Sequence, residues 1–185
     1  PYAARAWWLL RWLGHPGVAV LDGGRAAWLA AGGRLVTDLP VAPDAPPYPA
    51  TITPGMPVIT TPQLLASLAR VQDGSLQLLD ARAGERFRGE VEPLDPVAGH
   101  IPGATLRFFK DNLGADGRFK PAAQLHADFT ALGAGGQTAV HQCGLGVTAC
   151  HNLLAMLHAG LGISTLYAGS WSEWCSDAFR PVARG

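Results

Sequence analysis

The residues best suited to chemistry lie together at His141-Gln142-Cys143-Gly144-Leu145-Gly146-Val147-Thr148-Ala149-Cys150. A strand ends at Cys143, two glycines free the backbone, and a helix begins. Glycines permit positive φ, so successive N–H groups can turn inward and form a cradle. The helix start adds unpaired N–H groups and a partial positive charge. Such settings lower a thiol pKa from ~8.5 by about one unit or more, which makes the cysteine a thiolate nucleophile. The same donors would stabilise a second sulfur held on that cysteine as a persulfide anion. Taken alone, Cys-Gly-x-Gly fits a buried structural cysteine at a strand end equally well.

The elements that must position this loop are legible on either side of it. Thr138-Ala139-Val140-His141-Gln142 is strand-like and runs into Cys143, and residues 147–159 follow as a helix. Leu76-Gln77-Leu78-Leu79-Asp80 is a short apolar strand ending in an acid, and 164–168 is another strand. Thr61-Pro62-Gln63 reads as an N-cap with proline at the first helical position, the helix continuing through Leu64, Leu65, Leu68 and Val71. Residues 124–132 form a further helix after Pro121. Strands alternating with helices imply an α/β fold, a central parallel sheet flanked by helices. In such folds ligands bind beyond the carboxyl ends of the strands, where Asp80 and Cys143 both stand.

Composition sets the frame. Hydrophobic residues at 48% and charged residues at 15% fit a packed core rather than disorder. A formal net charge of zero gives no bulk electrostatic reason for a nucleic-acid or anionic-membrane partner. No apolar run approaches the ~20 residues of a membrane span. The opening Pro1-Tyr2-Ala3-Ala4-Arg5-Ala6-Trp7-Trp8 lacks a signal-peptide layout and a starting Met, and reads as the beginning of a fragment. Three cysteines, an odd count without zinc-like pairing, point to a reducing, cytoplasmic setting with one thiol kept for chemistry. No metal or cofactor site emerges. Cys150 is read as packing, Cys175 as accessible but without function, and Trp7, Trp8, Trp12 and Trp28 as core.

The chain also repeats itself. Val20-Leu21-Asp22-Gly23-Gly24-Arg25-Ala26-Ala27-Trp28 resembles Leu166-Tyr167-Ala168-Gly169-Ser170-Trp171-Ser172-Glu173-Trp174. One spacing pairs Gly23 with Gly169, Trp28 with Trp174, the apolar run 3–13 with 149–159, and Gly14 with Gly160. Each copy reads as helix, short strand, glycine turn, short helix. At that spacing Pro1 falls on Val147, so the first copy begins where its own loop would end. The reading is therefore a remnant of a first domain at 1–38, a linker at 39–57 with seven prolines, and a full domain at 58–185. The remnant exposes apolar faces that must pack on the full domain or be covered by a missing first-domain segment or another chain.

Cys143-Gly144-Leu145-Gly146-Val147-Thr148-Ala149 resembles the active loop of the rhodanese and mercaptopyruvate sulfurtransferase family. Those loops read Cys-Arg-Lys-Gly-Val-Thr-Ala in thiosulfate enzymes and Cys-Gly-Ser-Gly-Val-Thr-Ala in mercaptopyruvate enzymes. Asp80-Ala81-Arg82, Arg86-Phe87-Arg88-Gly89, Glu92-Pro93, Gly99-His100-Ile101-Pro102-Gly103-Ala104 and the 166–174 segment resemble further family signatures. The resemblance spans 4–182 and explains the repeat, because these enzymes hold two rhodanese domains with the active cysteine in the second.

The resemblance implies a thiosulfate or 3-mercaptopyruvate sulfurtransferase working by ping-pong transfer. Cys143 takes sulfane sulfur from a small-molecule donor and passes it to a thiol or cyanide acceptor. Arg86 is implied to bind the substrate anion, with an ion pair to Glu90 or Asp80 as its structural alternative. Gly144, Leu145, Gly146, Val147 and Thr148 would line the substrate, Thr148 also capping the helix, and Asp80 would steady the loop. Arg88 is read as a surface charge and His100 as structural.

Leu145 departs from the family pattern, standing where thiosulfate enzymes place Lys and mercaptopyruvate enzymes place Ser. Gly144 sides with the mercaptopyruvate branch, yet Pro93-Leu94-Asp95 offers no equivalent of its second substrate-binding Arg. A phosphatase of related fold would need Arg at the sixth position after the cysteine, where Ala149 stands. A non-catalytic rhodanese-like binding or regulatory module is the other reading.

Overall fold

The computed structural model describes residues 1–39, 41, 44 and 54–185. Most of the proline-rich stretch 39–57 thus lies outside the described residues. Five strands form one sheet: β1 (Val58–Ile59), β2 (Gln77–Asp80), β3 (Thr105–Leu106), β4 (Ala139–Gln142) and β5 (Thr165–Tyr167). Their order is β1-β5-β4-β2-β3, and every pairing is parallel. Register sets Leu79 beside His141 and Asp80 beside Gln142, so Cys143 leaves the sheet next to Asp80.

Side chains alternate across the sheet, and each face has its own core. Leu78, Val140 and Tyr167 pack with Leu64, Val71, Trp171 and Trp174. These come from α3 (Thr61–Ala66), α4 (Leu68–Gln72) and α8 (Ser170–Trp174). On the opposite face Leu79 and Ala139 meet Leu125 and Phe129 of α6 (Ala122–Ala131) and Met156 of α7 (Ala149–His158). A third cluster joins Cys143, Ala149, Cys150, Leu153 and Leu166 to Ala4, Trp7 and Trp8 of α1 (Tyr2–Trp12). The N-terminal helix therefore belongs to the core behind the Cys143 loop.

Several boundaries shift from expectation. The N-cap of α3 is Thr60, one residue early: its N–H donates to Gln63 Oε1 at 2.8 Å in a capping box. The helix through Val71 is interrupted at Ser67, whose hydroxyl bonds back to the Gln63 carbonyl at 2.9 Å, a competition that weakens helix interiors. In the first repeat, α1 and α2 (Gly24–Ala30) form, but residues 19–21 make no strand. A strand needs a partner backbone, and no described strand lies beside them. Trp7 and Trp8 are buried and Trp12 partly so, whereas Trp28 is 45% exposed, because α2 contributes no buried residue. Cys175 is buried rather than accessible. Among the described residues, no helix is long and apolar enough to cross a membrane.

Candidate active site

Cys143 sits one residue past β4 and is 2% exposed. Its own N–H donates to Ser170 Oγ at 3.1 Å, and Ser170 in turn donates to the Tyr167 carbonyl at 3.0 Å. The carbonyls of Cys143 and Gly144 accept from Trp171 and Ser172 N–H at 2.9 and 3.0 Å. The first turn of α8 thus holds the start of the loop from behind. Ser170 takes φ +55, a conformation costly for a non-glycine residue, and its buried side chain is what this geometry delivers. The Gly-Ser-Trp resemblance marked this segment, but no sequence signal assigned Ser170 a role.

Beyond Cys143 the loop turns as the two glycines allow. Gly146 takes φ +72, and a methyl built on it would lie 2.6 Å from the Ala168 carbonyl oxygen, so only glycine fits. Among the described residues, none accepts a hydrogen bond from the N–H groups of Gly144, Leu145, Gly146, Val147 or Thr148. A run of unpaired donors after a buried cysteine is what an anion cradle requires. Thr148 occupies the N-cap of α7, but at φ −74, ψ −21 its side chain makes no capping bond. A capping hydroxyl reaches the next turn from extended backbone, which Thr148 lacks.

A cleft of about 390 Å³ opens on Cys143 and is lined by Arg86, Gly144, Leu145, Val147 and Thr148 among others. The structure thus gathers those expected residues in one place. Gly146 and Asp80 do not line the cleft. Asp80 is fully buried and accepts from Arg82, N–H at 3.0 Å and Nη2 at 2.7 Å, so its bonds go to its own turn and not to the Cys143 loop. Arg82 continues to the Gly99 carbonyl at 2.7 Å and stacks over Trp171.

Arg86, on α5 (Gly84–Phe87), faces the loop: a methyl on Gly144 would lie 3.4 Å from its Nη1. It is ion-paired, but with neither Glu90 nor Asp80. Its partners are Glu92, at 2.5 Å to Oε1 and 3.2 Å to Oε2, and Asp95 at 3.4 Å. Burial pushes the Glu92 carboxyl up. Hydrogen bonds from Arg86 and the Leu94 and Asp95 N–H groups outweigh it and hold Glu92 below its ordinary range. The pairing of Arg86 with the carboxylates at 92 and 95 has no signal in the sequence, since acids six and nine residues after an arginine carry no pattern of their own. Arg88 pairs with exposed Glu90 at 2.7 Å, as a surface charge would. His100 stacks on Phe87 at 3.8 Å, and its Nδ1 bonds the Phe87 carbonyl at 2.8 Å, a structural placement. Phe108 and exposed Leu94 add apolar walls.

A buried cysteine at the carboxyl end of a parallel strand, a run of unpaired N–H donors after it and a nearby guanidinium come together in one cleft of an α/β fold. The chain belongs to the rhodanese-like domain family, whose model matches residues 63–177. It is 54% identical over 195 residues to a Pseudomonas aeruginosa protein named "Probable 3-mercaptopyruvate sulfurtransferase", covering 100% of this chain and 64% of that protein. It is 38% identical over 177 residues to the mouse thiosulfate sulfurtransferase, covering 94% and 58%. The chain therefore spans under two thirds of the length of these relatives. Among solved structures, the anaerobic ergothioneine biosynthesis enzyme of Chlorobium limicola superposes with a TM-score of 0.84 at 22% identity, over 98% of this chain and 45% of that one, a likeness of fold.

Proposed function

We propose that this chain carries the catalytic domain of a sulfurtransferase that moves sulfane sulfur from thiosulfate or 3-mercaptopyruvate to a thiol or cyanide. The Cys143 thiolate attacks the outer sulfur of the donor; the S–S or C–S bond breaks, and sulfite or pyruvate leaves with the bonding electrons. The enol or carbanion form of pyruvate takes a proton. Cys143 is left as a persulfide anion, seated among the N–H groups of 144–148. An acceptor then attacks the outer sulfur; with cyanide the products are thiocyanate and the free Cys143 thiolate. Arg86 holds the donor's sulfonate or carboxylate, drawn partly away from Glu92 and Asp95. The reading rests chiefly on the donor run that follows a buried cysteine in a cleft shared with Arg86.

Residues 1–38 are proposed as the end of a first rhodanese-like domain, on the strength of the repeat. Three free cysteines favour a reducing, cytoplasmic setting. Small-molecule donors and thiols are its partners, without metal or cofactor.

Cyanolysis with each donor, on wild type and Cys143→Ser, tests the reading. Turnover should vanish in the variant, and the wild type after donor treatment should gain about 32 Da, one sulfur atom, on Cys143. Turnover that survives the substitution overturns the mechanism. A wild type that never gains the sulfur identifies a binding module instead.

A further inference from the structure

The Cys143 loop is gripped by a residue from the other end of the chain. Arg5 on α1 donates from Nη1 to the Gly146 carbonyl at 3.3 Å and contacts Cys150 Sγ at 3.7 Å. Its guanidinium also lies over the Trp8 ring, 5.3 Å from the centroid. The Cys150 thiol donates to the same Gly146 carbonyl at 3.2 Å. Burial pushes that thiol up to about 11, so it stays protonated and able to donate. One carbonyl oxygen thus takes two donors, while Ala168 backs the same glycine.

A peptide unit is planar and trans, so a carbonyl and the N–H that follows it point in opposite directions. Drawing the Gly146 oxygen toward Arg5 and Cys150 turns the Val147 N–H the other way. Among the described residues that N–H meets no acceptor, and Val147 lines the cleft of Cys143. We propose that Arg5 is a positioning residue for sulfur transfer: by holding the Gly146–Val147 peptide plane it aims the Val147 N–H at the sulfur carried on Cys143. This rests on the persulfide reading above and extends it to α1, outside the matched family segment.

The test compares wild type, Arg5→Lys and Arg5→Met. Three quantities are read: kcat and KM for cyanolysis, the half-life of the Cys143 persulfide, and the folded fraction by circular dichroism. Lysine keeps the charge and one bond to the carbonyl but not the double contact. Methionine keeps the stem over Trp8 and donates nothing. Removing a whole oxyanion donor costs about 10²–10³ in rate, so misaiming one should cost about tenfold. The expected order in kcat and persulfide half-life is wild type, Lys, Met, with donor KM within about twofold because the donor anion rests on Arg86. Met within twofold of wild type, or Lys no better than Met, overturns the proposal. If Met does not fold, the Lys variant decides alone: a two- to threefold lower kcat at constant KM supports the proposal, and an unchanged kcat overturns it. A wild type that forms no persulfide would sink the Cys143 reading itself; a persulfide that forms normally while Arg5 proves indifferent sinks only this inference.

Discussion

The two copies of the internal repeat begin alike and end differently. Helices α1 and α7 both stop at a left-handed glycine, Gly14 at φ +83 and Gly160 at φ +76. Both stops carry the paired Schellman bonds, His15 to Leu10 and Gly14 to Arg11 in one, Leu161 to Met156 and Gly160 to Leu157 in the other. After the stop they part. Residues 165–167 join the sheet between β1 and β4, whereas their counterparts 19–21 join no described strand. Trp174 is fully buried, its Nε1–H donating to the Pro181 carbonyl; Trp28 stays 45% exposed, its Nε1–H donating to the Arg34 carbonyl. Local stop signals act wherever they occur, but a strand and a buried tryptophan need neighbours. The comparison is broken or kept most sharply by two substitutions. Trp174→Ala should cost about 3–5 kcal/mol in urea unfolding, as large aromatic cavities do. Trp28→Ala should cost about 0.5 kcal/mol or less. Equal losses would mean that both copies are packed alike.

Titratable groups differ between the copies as well. At the repeat spacing Arg5 corresponds to His151, so one copy places a permanent cation where the other buries an imidazole. His151 is held down to about 4 chiefly by burial, and His141 of β4 to about 3 by the same cause. Both take up protons in the unfolded chain near 6.5 but not in the fold. Their stabilising effect is therefore complete above that value and is lost as pH falls towards the folded values. Between pH 7 and pH 5 each should remove about 2 kcal/mol of unfolding free energy. His151→Gln should abolish roughly half of that fall in urea titrations at the two pH values. A fall of the same size in the variant would show that His151 is not the group responsible.

The glycine stops allow a finer cut. Gly160→Ala forces a side chain into left-handed backbone and should cost about 1–2 kcal/mol, with no steric contact to add, since a methyl there meets nothing within 4 Å. Gly14→Ala carries the same backbone strain and should cost at least as much if α1 unfolds with the sheet. If only the Gly160 variant loses stability, α1 opens separately. These stops show what the sequence made legible. Strand β4, the helix after it, the parallel sheet and the cysteine at its edge follow from periodicity, glycine and proline. The gathering of Arg86, Gly144, Leu145, Val147 and Thr148 into one cleft followed from resemblance, not from spacing. What stayed hidden depends on contacts distant in sequence. Ser170 behind Cys143, Arg5 on Gly146, and the Glu92–Asp95 clamp on Arg86 have no local periodicity to announce them. The broken helix at Ser67 was hidden too, because a hydroxyl bonding its own backbone is a choice that apolar spacing does not record.

The smallest expected effect concerns the one exposed side chain of the loop. Leu145 is 62% exposed at the mouth of the cleft and presents neither charge nor hydroxyl to a donor. Arg86, which faces Gly144 across the cleft, already shares its charge between two carboxylates. A dianionic donor such as thiosulfate therefore meets a partly neutralised partner, and a monoanionic carboxylate loses less by the same sharing. Leu145→Lys places a cation beside the donor, but in solvent, where a charge pair contributes about 0.2–1 kcal/mol. The thiosulfate-to-mercaptopyruvate ratio of kcat/KM should accordingly rise by about two- to fivefold, and the gain should shrink as salt screens it. Leu145→Ser adds a hydroxyl without charge and should raise mercaptopyruvate turnover instead. Should both substitutions leave the ratio where it was, selectivity is set deeper in the cleft, by the Arg86 clamp, and Glu92→Gln becomes the change that moves it.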